Sequence, residues 1–497
     1  MISLDLITVA LFAAQALALS DSLCNLLQSQ LGEKVFLRDT VNLTTVIENY
    51  WSAQPQQQNP ACVVLPTTSA DVSTAVMILG SGLNQGLSYC HFAIRSGGHT
   101  PDANINNIDD GVTLDLQNLN IVQPNAANTL VAVGPGNRWS DVYAVLDPLN
   151  LTVVGGRSET VGVGGLLLSS GMSFWSAKYG LPCDNVFNYE IVLANGSIVD
   201  ANATSNPDLY RALKGGSNNY GVVTRFDLRA VETGLFWGGV AFYNVSSLPV
   251  LVKAYTDFSR SANYDPASQI TLLHGIHDNT SIVMMHQHYT EPVTSPPEAV
   301  FANFSGDVAN TFRVDSLLNF TIELAAPTDN GTVRKAFVTT TFKNNAENLQ
   351  GFVDLCNATI ASLISIPELQ FISSYQPFGQ YISSHANATG GNLLGLDASD
   401  GDRVLVGLTV QWQGVENDDI MTTALQKLIK DGNELAASLG ADDDYVFMNY
   451  ASKWQDVYGG VGAANLEEFR RVSLEYDPTQ LFQIGVPGGF KLLEPTC

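Results

Sequence analysis

Residues 155–186 read GGRSETVGVGGLLLSSGMSFWSAKYGLPCDNV, with Gly155, Gly156, Gly162, Gly164, Gly165 and Gly171 crowded between 155 and 171. Glycine pays more backbone entropy than any other residue in a regular element, so such a run is kept for tight turns or close backbone approach. The spacing excludes two familiar sites. Gly162, Gly164 and Gly165 miss the third position of GxGxxG, and no GK[ST] follows, so neither a Rossmann fingerprint nor a phosphate loop is present. Successive backbone N–H groups in a loop of this kind can still hold a pyrophosphate without any basic residue. One such loop is most simply a turn. Two more glycine stretches, RSGGHT at 95–100 and LKGGSNNYGVVTRFDL at 213–228, point to a shared ligand.

The organisation supports a chain of more than one domain. With 497 residues, two or three cores are expected. From Cys62 to Leu228 short strand signals (ACVVLP, HFAI, GVTLDLQNLN, TLVAVGPG) alternate with helix signals, TTSADVSTAVMILGSGLNQG capped at Thr68 or Ser69 and NRWSDVYAVLDPLN. From about Thr233 the texture changes to longer strand-like runs: FWGGVAFYNV, QITLLHGIH, SIVMMHQHY, KAFVTTTF and DRVLVGLTVQW. These predict an antiparallel sheet backed by helices. The expected class is α+β, with residues 19–232 as a ligand-binding domain (core about 58–232), 233–445 as a second domain and 446–497 as a C-terminal segment.

Residues 1–18, MISLDLITVALFAAQALA, read as a secretory signal, although Asp5 stands where a basic residue is usual. Eleven Asn-x-Ser/Thr sites and six cysteines accord with an exported glycoprotein carrying disulfides, whose connectivity the spacing leaves open. The net charge of −25 argues against nucleic acid and anionic membrane as partners.

Four blocks together carry a resemblance. RSGGHT, the 155–186 run, LKGGSNNYGVVTRFDL, and NYASKWQDVYGGVGAANLEEF with YDPTQLFQIGVPGGF follow one another as in the FAD-linked oxidases of the berberine-bridge and vanillyl-alcohol-oxidase type. The chain resembles most the secreted fungal members, over nearly its whole length. The resemblance implies a PCMH-type FAD-binding domain of two subdomains, a substrate domain whose sheet covers the flavin, and a C-terminal tail that returns to the first domain. It implies a flavin bonded through the ring of His99. Ser96, Gly97, Gly98 and Thr100 would wrap the pyrophosphate, with Gly162, Val163, Gly164 and Gly165 on its second side. Asp184 and Asn185 would lie near the cofactor, Gly221 and Val223 near the adenosine, and Asn449 and Tyr450 beside the isoalloxazine.

One departure matters. Bicovalent members carry a cysteine in a segment like VCPTVGVGG, and Ser158 stands at that place here, so a single covalent bond through His99 is expected. Tyr450 is the first candidate for the proton acceptor. Gln411 falls where some members place a carboxylate, and an amide cannot take that part.

The histidines of LLHGIHDNTSIVMMHQHY invite a metal reading. If Asp278 and Asn279 turn a hairpin, alternation sends His274 and His277 to opposite faces, and the four histidines do not converge. No metal is expected, and His286 or His288 would face substrate. The chain therefore reads as a secreted, monomeric FAD-dependent oxidase. It would pass hydride from an alcohol, sugar or specialised metabolite to flavin, with oxygen reduced to hydrogen peroxide. The alternative is a secreted glycoprotein that keeps the fold as a binding module without turnover.

Overall fold

A computed structural model of the chain describes residues 22–38, 49–84, 91–325 and 331–493. The expected signal segment lies outside them, as do Cys90, Cys497 and the acceptors Asn42 and Asn330. Three sheets organise the molecule. The first has four strands in the order Val35–Leu37, Cys62–Val64, Val112–Asp115, Phe92–Arg95, the last three parallel. Its two inner strands, Cys62–Val64 and Val112–Asp115, are buried along their whole length, as parallel pairing under helices requires. The helix Ser69–Asn84 covers it, with Thr68 Oγ1 accepting the Asp71 N–H at 3.1 Å as the expected cap.

The second sheet is antiparallel and built around Val222–Glu232, which pairs with Val186–Val192, Leu130–Val133 and Leu151–Val153. Helix Trp139–Leu146 buries Trp139, Val142, Tyr143 and Leu146 against it. Cys24 and Cys62 form a disulfide that ties the N-terminal helical segment to the first sheet, while Cys183 and Cys356 are buried free thiols.

The third sheet has eight antiparallel strands, with Ser268–His277, Gln370–Phe378 and Arg403–Trp412 at its centre. Period-two alternation divides its residues. Leu272, Tyr375, Val406, Leu408 and Val410 point into a core shared with helices Ala346–Leu363 and Asp418–Ser438. Thr271, Leu273, Ile372, Ser374, Gln376, Gly407 and Thr409 point the other way, towards the first two sheets. The hairpin turn falls at Asp278–Asn279, both at positive φ, as a two-residue turn demands.

The final segment crosses back. The turn Met448–Tyr450 lies beneath the third sheet, helix Ala463–Tyr476 packs on helix Pro207–Leu213, and Leu481 and Phe482 join the core of the first sheet. Among the described residues no helix is long and apolar enough to cross a membrane.

Candidate active site

Between the three sheets lies a cavity of about 430 Å³. Its floor is backbone. A Cβ built on Gly97 would stand 2.5 Å from Gly162 Cα, and one on Gly162 would stand 2.3 Å from Gly97 N. No real Cβ tolerates such distances, so the two glycine loops touch main chain to main chain and only glycine fits either position. Gly98 adds a left-handed φ of 70°. Ser96 Oγ locks the pair by donating to the Pro135 carbonyl and accepting the Gly164 N–H at 3.1 Å. Arg138 donates to the Gly97 carbonyl at 3.3 Å, and the Trp51 N–H donates to that of Gly98 at 3.1 Å.

His99 leaves this loop and stacks on Trp51, with ring centroids 4.5 Å apart and planes 17° from parallel. Phe337 stacks on the same indole at 4.6 Å, and the Lys335 ammonium lies 4.2 Å over it. Burial, with Lys335 and Arg138 close by, pushes the His99 imidazole down to about 3. The ring is therefore neutral at ordinary pH and keeps a nitrogen lone pair.

The opposite wall is side chain. Arg157 donates to Gln376 Oε1 and, at 3.2 Å, to the Tyr450 hydroxyl. Tyr450 lies on Gly407, where any Cβ would come 3.1 Å from Cδ2 of its ring, and packs edge-on against Phe447 at 5.0 Å. His286 faces the cavity from the strand Thr280–Tyr289, pushed down to about 3 by burial and by Arg157. Asn449 ties the C-terminal turn to the glycine run, accepting from Gly171 N at 2.9 Å and donating to the Leu166 carbonyl at 3.2 Å.

The residues present fit FAD. Trp51 Nε1 and both amide atoms of Asn106 are buried at this cavity with no protein partner. Nothing lies within 4 Å of a Cβ built on Gly165, so that position opens onto space beside the glycine floor. No protein acceptor is described for the N–H groups of Gly97 and Gly98, which suits an anion held by main chain.

Ser96, Gly97, Gly98, His99, Thr100, Gly162, Gly164, Gly165, Gly221, Val223, Asn449 and Tyr450 all line the cavity, and Ser158 lines it beside Arg157. Val163 does not. Its side chain is in the core and its N–H donates to the Asn137 carbonyl at 3.0 Å. Asp184 and Asn185 are buried in the turn Pro182–Asn185, away from the cavity lining. There Asn392 donates to Asp184, and Asn185 donates to the Tyr179 and Leu181 carbonyls. Gln411 sits on the cavity side of its strand but one step beyond Thr409, paired with Lys335 and Gln370.

The four histidines spread as alternation requires. His274 stacks on Tyr375, His277 meets Gln370, and His288 is enclosed by Phe174 and Phe320. Sequence reading passed over Trp51, Arg157, Phe337 and Gln376. Arg157 was within reach, since it adjoins Ser158 in the glycine run.

A main-chain cradle opening into a chamber walled by an antiparallel sheet defines a flavin-binding oxidoreductase, and residues 60–202 match the FAD binding domain family. FAD-dependent monooxygenase drtC of Aspergillus calidoustus is 35% identical over 480 residues, covering 96% of this chain and 91% of that one. Two solved structures share the fold. 6-Hydroxy-D-nicotine oxidase of Arthrobacter nicotinovorans aligns with a TM-score of 0.75 at 19% identity, covering 94% of this chain and 98% of the other. Glucooligosaccharide oxidase of Acremonium strictum, described with a 6-S-cysteinyl, 8α-N1-histidyl FAD, aligns at 0.74 and 18%, covering 95% and 99%. The chain belongs to the fungal family of FAD-dependent oxidoreductases typified by drtC, built on the berberine-bridge fold.

Proposed function

We propose that the protein is a secreted oxidase whose FAD is joined to the chain through His99 alone. The observation that carries this is the placement of His99. It is a neutral imidazole at the end of the glycine cradle, stacked on Trp51 and inside the cavity. A neutral ring offers the lone pair that a bond to carbon requires. The histidyl FAD named for glucooligosaccharide oxidase supports the reading, and Ser158 lacks the thiol that its cysteinyl bond uses. When bound, FAD supplies a two-electron acceptor that takes hydride from a C–H bond and returns the electrons to oxygen as hydrogen peroxide. Tyr450 Oη, once its own proton has passed to solvent, receives the proton of the substrate's hydroxyl, while the Arg157 guanidinium beside it donates to that oxygen. Apolar Leu273, Ile372 and Phe447 keep water from the reacting groups.

Secretion is supported by the N-terminal segment, by the Cys24–Cys62 disulfide and by exposed acceptors at Asn150, Asn195, Asn244, Asn279, Asn303, Asn319, Asn357 and Asn387. The relative's name favours a second reading, a monooxygenase that places one oxygen atom in its product. Labelled oxygen separates the two: an oxidase sends the label to peroxide, a monooxygenase to the product.

The covalent claim is tested by denaturing the purified protein in acid. Yellow colour stays with the native chain and leaves with the supernatant for His99→Ala. Flavin released from the unaltered chain overturns the bond at His99, and a chain that never holds flavin overturns the whole reading.

A further inference from the structure

The cavity is chemically one-sided. Among the described residues that line it there is no Asp, no Glu and no Lys, in a chain with 48 acids. Arg157 is the one lining residue of fixed charge. It is half-buried, and no described carboxylate lies within ion-pair distance of it. In the resting site, with Tyr450 as the phenol, its bonds are to neutral acceptors, the Gln376 amide and the Tyr450 hydroxyl, and both pass through the same terminal nitrogen. Nη1 and Nε have no described partner. Elsewhere the fold pairs its enclosed arginines: Arg95 with Asp115 at 3.0 Å, and Arg403 with Asp443 at 2.6 Å. A half-enclosed cation without a counter-charge is costly unless something completes it.

The surroundings define what completes it. His286 is neutral and adds no charge of its own. Leu273, Ile372, Phe447 and Met172 supply apolar surface beside the uncharged polar groups Gln269, Thr271, Ser374 and Thr409. Glutamine and tyrosine hold the guanidinium by one edge and leave its other donors for a planar two-point or single-oxygen acceptor.

We propose that Arg157 is the specificity-determining residue of the site, and that the substrate is an apolar, ring-sized molecule bearing an anionic oxygen, as phenolate, enolate or carboxylate. The proposal rests on the oxidase reading for the site's identity and adds the charge of its substrate. A neutral oligosaccharide would leave the guanidinium uncompensated.

Isothermal calorimetry on the purified holoprotein tests this with benzoate and 4-nitrophenolate against their neutral counterparts benzamide and nitrobenzene. The anions bind about tenfold more tightly or better, as a charge-assisted bond to a partly enclosed guanidinium predicts. In Arg157→Met that preference falls to about twofold or less, and Arg157→Lys keeps part of it. Unchanged melting temperature and flavin content in both variants show that charge, not folding, was altered. Equal binding of the charged and neutral partners by the unaltered protein overturns the proposal while leaving the oxidase reading intact. So does a preference that survives Arg157→Met. Because heat is read directly, the result stands whether or not the preparation turns over substrate, and loss of the flavin itself would instead count against the oxidase reading.

Discussion

The two walls of the cavity recognise their ligands by different means. On the glycine side, contact is main chain to main chain, and the property that matters is the absence of a side chain at Gly97 and Gly162. On the sheet side, contact is made by Arg157, His286, Gln376 and Tyr450, which come from four separate stretches of the chain. A cradle made of missing atoms tolerates no additions. A wall made of side chains tolerates many changes in shape but few in chemistry.

The sharpest break of that contrast is Gly162→Ala. Its methyl group must displace Gly97, so the loops separate and folding loses about 3 kcal/mol or more, with flavin lost as well. Gly165→Ala is the matched control, because its Cβ meets no protein atom and alanine favours the helix Val163–Leu168. Thermal melting unchanged or raised, with flavin content reduced, would show that the space beside Gly165 is filled by cofactor. Full flavin content in Gly165→Ala would place the cofactor elsewhere.

The side-chain wall breaks through chemistry instead. Tyr450→Phe keeps the ring on Gly407 and against Phe447 and removes only the hydroxyl that Arg157 meets. Melting temperature and flavin content stay the same, and kcat falls about a hundredfold or more, the usual weight of a general base. A kcat within a few-fold of the unaltered enzyme would transfer the proton-accepting role to another group, with His286 next in place.

The same contrast explains what was legible beforehand. Glycine positions read well because backbone demands are local: RSGGHT and the 155–186 run are each continuous, and every glycine named in them for the cofactor lines the cavity. The helix cap at Thr68 and the hairpin at Asp278–Asn279 are local for the same reason. The sheet wall reads poorly because its members meet only after long-range pairing. Gln370–Phe378 is the clearest case. It lies in the centre of the third sheet, between Ser268–His277 and Arg403–Trp412, yet its serines, glutamines and Pro377 give no strand signature. Gln376 reaches Arg157 from that strand, 219 positions away in sequence. Trp51 and Phe337 meet at 4.6 Å in the same way, one before the first glycine loop and one in the third sheet.

Gln411 separates a residue that shares the cavity face from one that shares the chemistry. It follows Gly407 and Thr409 at two-residue spacing, so alternation alone would include it. The strand instead carries it past the rim, opposite Lys335, with only 9% of its surface exposed. Gln411→Leu preserves that volume and removes the amide. Turnover stays within about twofold and stability within about 1 kcal/mol, because a near-isosteric swap of an amide that holds no described side-chain hydrogen bond seldom costs more. A tenfold or larger fall in kcat, with melting unchanged, would extend the side-chain wall one step along the strand. It would also make the Lys335–Gln411 pair part of the machinery that holds His99 and Trp51 in place.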